Sequence, residues 1–76
     1  MSQKFTTIPH LVEKWNAVLA ANNAERDKVE LFVSGGRFTA QIYRNWQFCR
    51  SEWLGNPQNA SEAYAALSRD KSAHAN

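Results

Sequence analysis

The sequence predicts a single α+β domain of order α-β-β-β-α, an antiparallel three-stranded sheet with both helices packed on one face. Three observations carry this expectation. Apolar residues recur at helical spacing from Ile8 to Leu19. The period then switches to two on both sides of Gly35-Gly36, and a capping signature, Asn59-Ala60-Ser61-Glu62, opens an alanine-rich stretch near the C-terminus.

In the first element Ile8, Leu11, Val12, Trp15, Val18 and Leu19 follow the i, i+3, i+4, i+7 progression of an amphipathic helix, and His10, Glu13, Lys14 and Asn16 solvate its opposite face. Thr7 is the expected N-cap. Pro9 falls within the first turn, where its missing N–H would be unpaired anyway, and Asn22-Asn23 mark the end.

Val29, Leu31 and Val33 alternate with Lys28, Glu30, Phe32 and Ser34, and the alternation resumes from Arg37 to Tyr43. A two-residue Gly-Gly connection suits the primed turns whose twist matches that of the strands. Pairing Ser34 with Arg37 sets Val33 opposite Phe38, Leu31 opposite Ala40 and Val29 opposite Ile42, so the six apolar side chains share one face. A slip of one residue would break that agreement.

Residues 45–54 fit a third strand that turns at Asn45-Trp46 and sets Cys49, Ser51 and Trp53 beside Ile42, Ala40 and Phe38. They also fit a short helix with the stripe Trp46, Cys49, Trp53, Leu54, which gives the alternative order α-β-β-α-α. The strand is preferred, because the segment is rich in aromatics and an isolated two-stranded ribbon is marginal. After Gly55-Asn56-Pro57 the last helix is expected from the Asn59 cap to about Lys71, with the stripe Ala60, Ala63, Tyr64, Leu67. Residues 1–6 and 72–76 are expected to fray. Trp15, Phe38, Trp53 and Tyr64 are the expected aromatic core.

Size and composition restrict function. A chain of 76 residues holds one core and excludes large multi-substrate enzymes, while 43% hydrophobic and 12% aromatic content argue against disorder. The start of the chain has no apolar run of signal-peptide type, and no stretch of about 18 apolar residues occurs, so a soluble cytoplasmic protein with no membrane partner is expected. The single Cys49 agrees with a reducing compartment and reads as a small core residue. His10 and His74 lie too far along the chain to pair readily with it as a base, and one Cys with two separated His lacks the clustered spacing of a zinc site. Glu30 and Glu52 are the one carboxylate pair that could share a sheet face. Gly35-Gly36 has no following Lys-Ser or Lys-Thr and reads as a turn rather than a phosphate loop. No catalysis, cofactor or metal is expected.

Binding is the remaining reading. With both helices on one face, the other face presents Phe32, Tyr43 and Phe48 together with Arg50, and an exposed aromatic patch marks a partner site. Phe32, Tyr43, Phe48 and Arg50 are therefore the expected protein-contacting residues. Arg37 and Arg44, converging with Arg50 at one side of the sheet, would serve a nucleic-acid contact. Nine basic residues against seven acidic ones are dispersed rather than clustered, which favours the protein partner. A homodimer through the exposed face is a further alternative.

Two resemblances add to this. The element order, with Arg37-Phe38-Thr39-Ala40-Gln41-Ile42 and Glu62-Ala63-Tyr64-Ala65-Ala66-Leu67, resembles the double-stranded RNA-binding domain over about Pro9 to Ser68. That family opens its last helix with a Lys-Lys-x-Ala-Lys run that grips phosphates. Here the matching positions are Ala60, Ser61, Ala63 and Tyr64, so the likeness implies the fold and not the RNA contact. In size, α+β make-up and lack of catalytic motifs the chain is also similar to small bacteriophage-encoded inhibitors of the anti-CRISPR type. This likeness implies docking on a bacterial defence or regulatory complex in the host cytoplasm.

Overall fold

A computed structural model describes the backbone of residues 5–75 and the side chains of residues 5–69. Its elements are α1 (Ile8–Ala20), β1 (Asp27–Ser34), β2 (Arg37–Arg44), β3 (Gln47–Gly55) and α2 (Ala60–Ala75). The strands form one antiparallel sheet in the order β1-β2-β3. The order is therefore α-β-β-β-α, and residues 47–55 are strand rather than helix.

Helix α1 starts at Thr7, an extended N-cap whose hydroxyl makes no capping bond, and ends where the Asn22 side-chain amide donates to the Val18 carbonyl. The α2 cap is reciprocal. The Glu62 N–H donates to Asn59 Oδ1 and Asn59 Nδ2 donates to Glu62 Oε1, both at 3.2 Å. One backbone donor of the first turn, the Glu62 N–H, is thereby satisfied, and the side-chain bond holds the Asn59 amide in place to accept it. Helix α2 continues to Ala75, beyond the expected end near Lys71. The expected fraying of residues 1–4 and of Asn76 lies outside the described residues.

The β1–β2 register matches the expectation pair for pair, from Ser34 opposite Arg37 back to Val29 opposite Ile42. Gly35 and Gly36 take φ of 56° and 78°, the left-handed values a primed turn requires. Asn45 and Trp46 make the second turn with φ of 53° and 68°. Asn suits that region, whereas a bulky Trp is strained in it.

Strand β3 departs from the expected pairing. Tyr43 faces Phe48 as the turn dictates, but the register then shifts, and Arg50 rather than Cys49 lies opposite Ile42. Cys49 is the extra residue of a β-bulge. Because side chains alternate faces, one inserted residue reverses every placement after it. Ser51 and Trp53 therefore join the outer rows, opposite Gln41 and Thr39, while Arg50 and Glu52 fall in the inner row opposite Ile42 and Ala40. Four expectations are corrected on this ground. Cys49 is exposed rather than core, Ser51 and Trp53 do not face the core, and Arg50 does not stand on the outer face. Leu54 is fully buried in the place assigned to Trp53.

A second shift sets Phe38 opposite Gly55. There β3 passes so close to the start of α1 that a Cβ on Gly55 would lie 2.6 Å from Thr6 Oγ1. The Thr6 N–H donates to the Asn56 carbonyl at 2.8 Å, and Thr6 forms a parallel bridge with Pro57.

The core lies between the helices and the inner sheet face. Leu11, Trp15 and Leu19 of α1 and Ala63 and Leu67 of α2 close on Phe38, Ala40 and Leu54, with Ile42 also buried. Trp15 and Phe38 are the aromatic residues fully buried there. Trp53 and Tyr64, expected inside, are 49% and 50% exposed: Leu54 holds the inner place at the end of β3, and α2 buries Ala63 and Leu67 instead of the Tyr64 ring.

Candidate functional site: an aromatic sheet face

With both helices on the inner face, the outer face of the sheet is left open. Registers β1–β2 and β2–β3 together arrange it as three cross-strand rows. Phe32, Thr39 and Trp53 form one row, Glu30, Gln41 and Ser51 the next, and Lys28, Tyr43 and Phe48 the third. Successive rows are about 7 Å apart, two residues along a strand. A polar row thus runs between two aromatic ones.

Local contacts hold these side chains in place. The Tyr43 and Phe48 rings meet edge to face with centroids 5.7 Å apart, the geometry aromatic quadrupoles favour. Lys28 Nζ stands 5.8 Å from the Tyr43 ring centre and 3.2 Å from Glu30 Oε2, while the Tyr43 hydroxyl donates to Gln41 Oε1 at 3.1 Å. Across the sheet edge, Lys14 of α1 places its Nζ 5.4 Å from the Trp53 ring centre and 3.5 Å from the Trp53 carbonyl. The Tyr43, Phe48 and Trp53 rings therefore lose little freedom when covered, and Phe32 and Phe48 are 51% and 55% exposed.

Trp46 extends the apolar surface beyond the sheet at the tip of the second turn. It is 89% exposed. A large apolar ring in a strained backbone position and in water contributes little to the fold, and strain of this kind concentrates at functional positions.

The structure distributes the expected residues as follows. Phe32, Tyr43 and Phe48 share the outer face. Arg37, opposite Ser34, borders a shallow groove with Phe32 and Thr39 at the hairpin end. Arg44 sits at the far end of β2, about 23 Å away at 3.3 Å per residue. Its Nε lies 3.6 Å from Asp27 Oδ2 and its guanidinium donates to Asn22 Oδ1 at 3.2 Å. Arg50 is in the inner row and paired with Glu52 at 3.5 Å. The three arginines do not converge, and Glu30 and Glu52 fall in opposite rows.

Sequence reasoning missed Trp46 and Trp53 as surface residues. The Asn45-Trp46 turn was itself legible, and a residue at the tip of a two-residue turn has nothing to pack against. Trp53 gave no comparable signal, since its face depends on the Cys49 bulge.

Among the described residues no group of three or more His, Cys, Asp or Glu could hold a metal, and no helix is long and apolar enough to cross a membrane. Comparison with family models, curated proteins and solved structures finds no match to this chain.

Proposed function

We propose that this protein is a non-enzymatic binding module that docks its outer sheet face on a protein partner and acts by covering that partner's surface. The observation that carries the reading is the pair of aromatic rows flanking a polar row on a face no helix covers. Aromatic side chains bury about 150–250 Å² each and dominate interface energetics. The Glu30-Gln41-Ser51 row supplies hydrogen-bonding groups between them. A complementary partner offers apolar pockets on either side of a polar strip. The open face bears no concentrated positive charge, since Lys28 is paired with Glu30, so the balance of interactions favours protein over nucleic acid. The mode of action, inhibition by occupancy, is that of the phage-type inhibitors the chain resembles.

The test is quantitative capture from a bacterial lysate by the native chain and by a Phe32→Ala/Phe48→Ala variant, with and without nuclease. The expected result is loss of a specific protein partner with a nearly unchanged melting temperature. A large fall in stability would show that the rings belong to the fold, and loss of every partner after nuclease would move the assignment to nucleic acid.

A further inference from the structure

A three-stranded sheet has two free edges, and this chain treats them differently. The β3 edge is interrupted by bulges and approached by Lys14, whose Nζ reaches the Trp53 carbonyl. Bulges and charges are the means by which edge strands are kept from pairing. Strand β1 has none of these devices in its second half. It runs eight residues in unbroken register with β2, without Pro or Gly, and ends in Leu31-Phe32-Val33-Ser34.

The direction of its backbone groups follows from the turn. A two-residue hairpin closes on a hydrogen-bonded pair, here Ser34 with Arg37, so Ser34, Phe32, Glu30 and Lys28 direct their N–H and C=O groups to β2. Asp27, Val29, Leu31 and Val33 direct theirs to the free edge. The Asp27 N–H confirms this parity, since it donates to the Asn23 carbonyl at 2.7 Å rather than to β2. Among the described residues, no loop, helix or side-chain group bonds the outward groups of Val29, Leu31 and Val33. Val33 is also 40% exposed, although it lies in the inner row.

We propose that the β1 edge pairs antiparallel with β1 of a second copy, about a two-fold axis through Leu31, to give a continuous six-stranded sheet. The sequence of the edge selects this occupant and this register. Centred on Leu31, Val29 lies opposite Val33 of the second copy, Glu30 opposite Phe32 and Lys28 opposite Ser34. No like charges meet, and the outward groups form about six hydrogen bonds, two for each of three pairs. Centring on Glu30 sets two glutamates against each other. Centring on Val29 or on Phe32 pairs only five residues of each strand. The pairing runs through the backbone groups of the edge and leaves Tyr43, Phe48 and Trp53 untouched, and it sets the two outer faces side by side as one surface of doubled width.

Sedimentation over a concentration series, combined with amide hydrogen exchange, tests the pairing. The expected mass rises from 8.6 kDa to twice that value. The Val29, Leu31 and Val33 amides become protected with concentration, while those of Glu30 and Phe32 are protected throughout. Val33→Pro removes an outward donor without touching the β2 ladder and is expected to hold the chain monomeric. Val33→Lys, which places charge at the same edge, is the second variant should proline unfold the strand. The Phe48→Ala variant, which alters the outer face on β3 at the far side of the sheet, is expected to remain a dimer, which separates this pairing from the docking face. A chain that stays monomeric throughout overturns the proposal. So does a dimer that survives both Val33 variants with the three amides unprotected, or a monomer that takes up an unrelated extended peptide at this edge.

Discussion

Replacing Trp46 by Gly and by Ala separates backbone strain from side-chain contribution at one position. At φ 68° an L-residue carries about 1–2 kcal/mol of strain that Gly does not. Glycine loses about 0.4–1 kcal/mol of that gain through its freer unfolded chain, so Trp46→Gly is expected to be about 1 kcal/mol more stable than Trp46→Ala. The ring itself is 89% exposed and hides roughly 25 Å², which at 25 cal/mol/Å² is about 0.6 kcal/mol lost in both variants. Trp46→Gly should therefore match the native chain to within about 0.5 kcal/mol, and Trp46→Ala should fall about 0.6 kcal/mol below it. For a domain of this size the gap between the two variants corresponds to about 4–8 °C in Tm. Urea unfolding with a common m-value measures it. An alanine variant as stable as the glycine variant would refute the left-handed assignment. A loss above about 2 kcal/mol in both would show that the ring packs against the fold.

Two further predictions address the departures from the expected pairing. Gly55→Ala meets Thr6 Oγ1 at 2.6 Å with φ at 140°. Strain and overlap together should remove about 2–5 kcal/mol, most of the stability of a domain this small, and thermal unfolding of the variant reads the loss directly. Cys49, exposed at the bulge, should react with a thiol reagent in the folded protein at a rate close to that in denaturant. Strong protection in the native state would return it to the core.

The parts of the fold legible in the sequence are those where one local signal had a single consistent consequence. Val29, Leu31 and Val33 could face Phe38, Ala40 and Ile42 together only in the register that Gly35-Gly36 also demands. The Asn59 cap was legible because its partner Glu62 is three residues away. Strand β3 was different. Its residues Gln47–Gly55 alternate polar and apolar side chains too irregularly to reveal where the parity changes, and Trp53 beside Leu54 offered two apolar candidates for one inner place. The inner place belongs to Leu54, which joins the cluster of Leu11, Trp15 and Phe38, a matter of packing rather than of pattern. Tyr64 was misplaced for a related reason. In an alanine-rich helix a large ring looks like the core contact, but Ala63 and Leu67 already close against α1 and leave no room. Phe32, Tyr43 and Phe48 were found because they precede the bulge in the pairing, whereas Arg50 follows it.

The Cys49 bulge gives β3 something like a reading frame. Before it the strand is punctuated one way, after it the other, and a single inserted residue decides which side chains from Arg50 to Leu54 are presented outward. Deleting Cys49 would alter no other side chain, yet it would exchange the two faces downstream. Trp53 would turn inward, Arg50 and Glu52 would emerge among the aromatics, and Leu54 would leave the core. A one-residue deletion there should thus be far more damaging than substitution of Cys49 by Ser or Ala, so chains related by descent are expected to vary this residue freely while keeping its place in the count.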